Sequence, residues 1–123
     1  MKKKILICDD DQGILEMLEI VFNEDKYEVL TEGNSLRVFE CIKNFRPDLL
    51  ILDLWMPVLS GDQITQKIKS QPDDAHMPVL IMSASRDGGE IAKNAGANAY
   101  IAKPFNVNEF VDLVDKLNSE AIT

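Results

Sequence analysis

The chain has 123 residues, 46% hydrophobic and 28% charged, the balance of one globular domain rather than of a disordered tail. Its formal charge of −8 repels nucleic acid phosphates and anionic lipid heads, so direct binding to nucleic acid or a membrane surface is not expected. Only four apolar residues follow the basic Met1-Lys2-Lys3-Lys4 before three aspartates, too few for a signal peptide or a membrane span, and the expected location is the cytoplasm.

Ile5-Leu6-Ile7-Cys8 reads as a first strand, followed by Asp9, Asp10 and Asp11. Ile14, Leu18, Val21 and Phe22 recur at helical spacing, with Asp11 placed to cap the helix. A weaker strand, Tyr27-Glu28-Val29-Leu30, precedes Asn34-Ser35, which opens a second helix carrying Val38, Ile42 and Phe45. Pro47 separates that helix from the strand Leu49-Leu50-Ile51-Leu52, which ends in Asp53. Ser60 is placed to cap a third helix bearing Ile64 and Ile68. The strand Val79-Leu80-Ile81-Met82 then runs into Ser83. Arg86-Asp87-Gly88-Gly89-Glu90 puts two glycines at the start of a fourth helix, each costing roughly 1 kcal/mol against alanine in a helix interior. That helix is expected to be short and mobile, with Gly96 closing it. Ala99-Tyr100-Ile101-Ala102 is the last strand, followed by Lys103-Pro104 and a helix carrying Val107, Val111, Val114 and Leu117.

Strand and helix alternate throughout, which calls for right-handed crossovers and a doubly wound parallel sheet with helices on both faces. The continuous apolar runs suggest strands buried on both sides. With no internal repeat or linker, residues 1–123 read as one domain. Cys8 and Cys41 supply neither a disulfide framework nor metal spacing and read as core filler in a reducing compartment. Met17, Met56, Met77 and Met82 read as packing, and His76 as an exposed loop residue.

Ligand sites in open parallel sheets lie beyond the carboxyl ends of the strands. There this sequence places Asp9, Asp10 and Asp11, then Asp53, Ser83 and Lys103. Carboxylates about 4 Å apart repel by roughly 4 kcal/mol at an effective dielectric near 20, so a bound cation is expected. An all-oxygen set suits Mg²⁺, with Mn²⁺ able to take its place. Lys103 and the Ser83 hydroxyl can meet phosphoryl oxygens, which leaves Asp53 as the natural nucleophile.

Four pieces in order, Ile5-Leu6-Ile7-Cys8-Asp9-Asp10-Asp11, Leu52-Asp53-Leu54-Trp55-Met56-Pro57 with Ser60-Gly61, Met82-Ser83-Ala84, and Ala95-Gly96-Ala97-Asn98-Ala99-Tyr100-Ile101-Ala102-Lys103-Pro104-Phe105, together resemble the receiver domain of two-component response regulators. The resemblance spans the chain. It implies a flavodoxin-like five-stranded sheet in the order 2-1-3-4-5, and a signalling phosphoacceptor rather than an enzyme with turnover on a separate substrate. Asp53 would take its phosphoryl group from a sensor histidine kinase or a phosphotransfer protein. Asp9, Asp10, Asp53 and the backbone carbonyl of Trp55 would hold the metal. Ser83 and Lys103 would contact the phosphoryl oxygens, and Ser83 and Tyr100 would switch the surface of the fourth helix, fifth strand and fifth helix. The resemblance also implies a cis peptide between Lys103 and Pro104, and a monomer that could dimerise on phosphorylation.

Three departures stand out. Ser83 lacks the methyl of the family's commoner threonine. The bulk of Trp55, two residues past Asp53, would hinder the hydrolytic water and lengthen the life of the phosphoryl group. The segment from Ser83 to Gly96 is a little shorter than usual. No output domain follows the last helix within the chain, so it either docks on a downstream protein partner or is part of a longer regulator. Met1 and the polar end at Ser119-Glu120 suggest a receiver at a chain's N-terminus. Two rival readings remain: a haloacid dehalogenase-like phosphotransferase with Asp9 as nucleophile, which normally needs a longer chain and leaves Asp53-Leu54-Trp55-Met56-Pro57 unexplained, and a receiver-like interaction module without phosphorylation. Nucleotide or flavin binding is disfavoured because no glycine-rich loop follows the first strand.

Overall fold

The computed structural model describes residues 2–22 and 25–122, with the backbone alone for 120–122. Met1 and the Glu120 side chain, invoked above for the chain ends, lie outside the described residues. In chain order the elements are β1 (Lys3–Cys8), α1 (Gln12–Val21), β2 (Tyr27–Glu32), a 3-10 turn (Ser35–Arg37) leading into α2 (Val38–Phe45), β3 (Leu49–Asp53), α3 (Gly61–Lys69), β4 (Val79–Ser83), α4 (Gly88–Ala95), β5 (Ala99–Ala102) and α5 (Val107–Ile122). All strand pairs are parallel, and the sheet order is β2-β1-β3-β4-β5.

Side chains alternate across each strand, so the sheet feeds two cores. Leu6, Cys8, Leu50, Leu52, Val79 and Ile81 meet Val38, Ile42, Ile64, Ile68 and Ala92 from α2, α3 and α4. Ile5, Ile7, Leu49, Ile51, Leu80 and Met82 meet Leu15, Leu18, Phe110, Val114 and Leu117 from α1 and α5. Every residue of β3 and β4 is buried, as the continuous apolar runs predict. The edge strand β5 departs from that expectation: Ala99, Tyr100 and Ile101 are half-buried and Ala102 is exposed, because an edge strand is covered from fewer sides.

Helix ends follow the sequence signals. Asp11 accepts from the N–H groups of Gly13 (2.9 Å) and Ile14 (3.3 Å), Ser60 N–H is held by the Gln63 side chain at 3.0 Å, and Gly96 closes α4 at φ 95°. Arg46 ends α2 in the left-handed region at φ 57°, its N–H on the Ile42 carbonyl. Two details correct the sequence reading. The buried stripe of α5 is Phe110, Val114 and Leu117, with Phe110 stacked on Phe105 at 4.6 Å, while Val107 is 37% exposed. Met17 lies on the outer face of α1, whereas Met56, Met77 and Met82 are buried.

Register brings the site together. Cys8 pairs with Leu52, Asp53 with Met82, and Ser83 with Ala102, so Asp9, Asp53, Ser83 and Lys103 emerge side by side at one end of the sheet. Main-chain bonds carry the ladder past the strand ends: Leu54 N–H to the Met82 carbonyl and Lys103 N–H to the Ser83 carbonyl, both at 2.8 Å.

Candidate phosphoacceptor and metal site

Carboxylate oxygens of Asp9, Asp10 and Asp53 lie within 4.8 Å of one another. Asp9 is 1% exposed and Asp53 7%, while Asp10 faces solvent. Lys103 reaches over from the end of β5, its Nζ 2.8 Å from Asp9 Oδ2 and 3.0 Å from Asp53 Oδ1. The Lys103–Pro104 peptide is cis, as the resemblance implies. Asp9 Oδ1 is also occupied, accepting the Asp11 N–H at 2.9 Å. Asp53 Oδ2 takes no hydrogen bond among the described residues.

Burial raises the pKa of the Asp53 carboxyl; the Lys103 hydrogen bond opposes that rise, and the neighbouring Asp9 reinforces it. Burial alone would lower the Lys103 pKa, but its bonds to Asp9 and Asp53 outweigh it and hold the ammonium above its ordinary value. One ammonium thus faces three carboxylates, two of them buried, and the cluster keeps an excess of negative charge. Its donor set is all oxygen, which fits a hard divalent cation.

Gly61 lets the loop after β3 fold back on the site, its N–H bonding the Leu54 carbonyl at 2.8 Å. A β-carbon there would stand 2.6 Å from the Asp53 carbonyl oxygen. Ser35, from the 3-10 turn, steadies the same loop by donating to the Pro57 carbonyl at 2.6 Å and accepting the Leu59 N–H at 3.2 Å.

Ser83 is 1% exposed. Its Oγ accepts the Ser85 N–H at 3.0 Å and lies 2.8 Å from Ser85 Oγ. Trp55, 54% exposed, donates its indole N–H to Ser85 Oγ at 3.1 Å, so the ring leans along the rim toward β4. Tyr100 donates to the Ser83 carbonyl at 3.1 Å. Thus Asp9, Asp10, Asp53 and Lys103 form one cluster, with Ser83, Trp55 and Tyr100 linked through Ser85 and the Ser83 main chain beside it. Sequence reasoning missed Ser85 and the packing role of Gly88. The signal for Ser85 was present, because a serine hydroxyl readily accepts the N–H two residues on. His76 is exposed, and two grooves of about 470 and 610 Å³ beside Arg46, Asp73 and Asp74 lie on other elements than these.

A doubly wound sheet with an acidic cluster and a lysine at its carboxyl end agrees with the receiver-domain resemblance of the sequence. The response regulator receiver domain model matches residues 5–115, and the chain belongs to that family. It is 33% identical over 116 residues to sporulation initiation phosphotransferase F of Bacillus subtilis, covering 94% of each chain. It is 30% identical to the DNA-binding response regulator MtrA of Mycobacterium tuberculosis, covering 90% of this chain but 48% of that one. The solved CheY-like receiver domain protein of Methanospirillum hungatei superposes with a TM-score of 0.88 at 26% identity, covering 98% of this chain and 97% of that one.

The family match disfavours the dehalogenase-like reading. So does the geometry, since both oxygens of Asp9 are engaged in a nearly inaccessible position. No described helix is long and apolar enough to cross a membrane.

Proposed function

We infer that this receiver domain accepts a phosphoryl group on Asp53 from a phosphohistidine on a sensor kinase or a phosphotransfer protein, and passes the change on through partner binding. The observation that carries this reading is the unequal engagement of the acids. Asp9 is held at both oxygens, whereas Asp53 keeps Oδ2 available beside Lys103.

In the transfer, Asp53 Oδ2 attacks phosphorus, the phosphorus–nitrogen bond to the donor imidazole breaks, and the nitrogen leaves with the electron pair and gains a proton from water. Lys103, already 3.0 Å from Asp53 Oδ1, is placed to follow a phosphoryl oxygen and offset its charge. Asp9, Asp10 and Asp53, with the Trp55 carbonyl, would hold Mg²⁺ or Mn²⁺, which supplies charge neutralisation for the phosphoryl oxygens. Ser83 offers a hydroxyl to another of those oxygens.

The response would pass from Ser83 to Tyr100, which already touch through the Ser83 carbonyl, and alter the surface of α4, β5 and α5 as a shift between two populated arrangements. The downstream partner is a protein, or an output domain if the chain belongs to a longer regulator.

The test is a titration with Mg²⁺ followed by the emission of Trp55, the only tryptophan, with acetyl phosphate added afterwards. Emission should respond to each addition, and the acetyl phosphate step should vanish in Asp53→Asn. A response to acetyl phosphate that survives the substitution would exclude Asp53 as acceptor.

A further inference from the structure

Ser85 is half-buried, and the transfer described above gives it no task. Yet it is the centre of a chain of polar contacts. Trp55 Nε1 donates to Ser85 Oγ at 3.1 Å, Ser85 Oγ lies 2.8 Å from Ser83 Oγ, and the Ser85 N–H donates to the same Ser83 oxygen at 3.0 Å.

One end of the chain has a fixed direction. An indole N–H can only donate, so Ser85 Oγ is an acceptor at the Trp55 end. A hydroxyl that accepts one hydrogen bond becomes a better donor of the next, since bonds in series polarise one another. Either hydroxyl can donate across the 2.8 Å contact; once the Ser83 proton is given to a phosphoryl oxygen, the Ser85 O–H is the one that points to Ser83 Oγ. Both acceptor positions of Ser83 Oγ are then filled, one by the Ser85 N–H and one by the Ser85 hydroxyl. The Ser83 proton has Ser85 Oγ as its acceptor until a phosphoryl oxygen replaces it. Ser83 is 1% exposed, so solvent has little access to that proton.

We propose that Ser85 is a positioning residue which, with the Trp55 indole N–H, forms a donor relay that takes up Ser83 Oγ as the Ser83 hydroxyl turns its proton to an oxygen of the phosphoryl group on Asp53. The proposal rests on the phosphoacceptor reading of Asp53. It assigns Trp55 a task that depends on its N–H, separate from any shielding by its bulk, and it gives Ser83 a fixed donor direction without the methyl that would restrain a threonine.

The test uses beryllium trifluoride with Mg²⁺ as a phosphoryl mimic, and ¹⁹F NMR to read affinity and the environment of the fluorines. Trp55→Phe keeps a ring and removes the N–H, while Ser85→Ala removes the hydroxyl and keeps the main-chain donor. Each should weaken binding of the mimic roughly three- to tenfold, the size of one lost hydrogen bond, and move the resonance of the fluorine nearest Ser83. The double variant should bind no worse than either single one, because both break the same chain. Ser85→Thr, which restores a hydroxyl, should recover most of the affinity.

Trp55→Phe and Ser85→Ala proteins that bind the mimic as the unaltered protein does, with unshifted fluorine resonances, would overturn the relay while leaving Asp53 as acceptor. Failure of the unaltered protein to bind the mimic would overturn the acceptor reading and the relay together.

Discussion

The phenol of Tyr100 donates to the main-chain carbonyl of Ser83 across 3.1 Å, and that contact exists because residue 88 has no side chain. A β-carbon at Gly88 would stand 2.7 Å from the Tyr100 hydroxyl and 2.9 Å from Ser83 Cβ, closer than packed atoms approach. At Gly89 a β-carbon would meet the Tyr100 ring at 3.4 Å, an ordinary contact.

The two neighbouring glycines should therefore respond to alanine with opposite signs. Gly89→Ala should raise the free energy of unfolding by about 0.5 to 1 kcal/mol through helix propensity. Gly88→Ala should lower it by about 1 to 2 kcal/mol, because the clash outweighs the same gain, and should swing Tyr100 outward. Urea unfolding of both variants checks the pair, and equal stabilisation would remove the packing role given to Gly88.

Among the described residues, Lys103 is the only cation bonded to the buried acids Asp9 and Asp53. Lys103→Gln should cost the metal-free protein about 2 to 4 kcal/mol, since it leaves buried carboxylates without a counter-charge. The same loss of a competing cation should tighten Mg²⁺ binding. Unfolding without metal, together with calorimetric titration of Mg²⁺, reads both changes. A variant with unchanged stability and weaker Mg²⁺ binding would contradict the electrostatic account.

Asp53 is an acid whose pKa is raised on folding. Its ionised form therefore subtracts stability at neutral pH, and the subtraction fades as pH falls through the raised folded value toward the ordinary 3.8. Asp53→Asn should stabilise the metal-free protein by about 1 kcal/mol at pH 7, with the gap closing on acidification. Added Mg²⁺ should reverse the order, because a cation held by the native acidic cluster would stabilise the folded unaltered protein. Parallel melting curves across pH, with and without Mg²⁺, decide this.

Far from the site, Tyr27 donates to Asp115, and its pKa is pushed up to about 12, first by burial and then by that hydrogen bond. The stability this contributes is full below the ordinary phenol pKa of 10.0 and is lost as pH rises from there to about 12. Its ceiling is about 2 to 3 kcal/mol. Lys103, also raised, loses its contribution in alkali in the same direction. The stability advantage of the unaltered protein over Tyr27→Phe should therefore shrink between pH 9 and pH 12, as chemical unfolding across that range would show.

The parts of the fold written in local pattern were legible in the sequence. The runs at β1, β3 and β4 are apolar because both faces are covered, and Asp11 and Gly96 mark helix ends through their own side chain or lack of one. The acids and the lysine were legible because each follows a strand, and parallel register does the rest. What stayed hidden depended on contacts between distant segments. Gly88 and Gly89 read alike as weak helix formers, and only the position of Tyr100 separates them. Val107 fits the apolar spacing of α5 as well as Phe110 does, but Phe105 selects Phe110 by stacking on it. Trp55 could be placed near the pocket, whereas its bond to Ser85 depends on how two loops lean together.

The central claim is that Asp53 is the residue phosphorylated. Incubation with acetyl phosphate and Mg²⁺, followed by borohydride reduction and peptide mass spectrometry, converts the acyl phosphate to a stable mark on the acceptor. The account predicts homoserine at position 53 and unmodified Asp9 and Asp10. A mark at Asp9, or none on any aspartate under conditions that phosphorylate a known receiver domain, would contradict it.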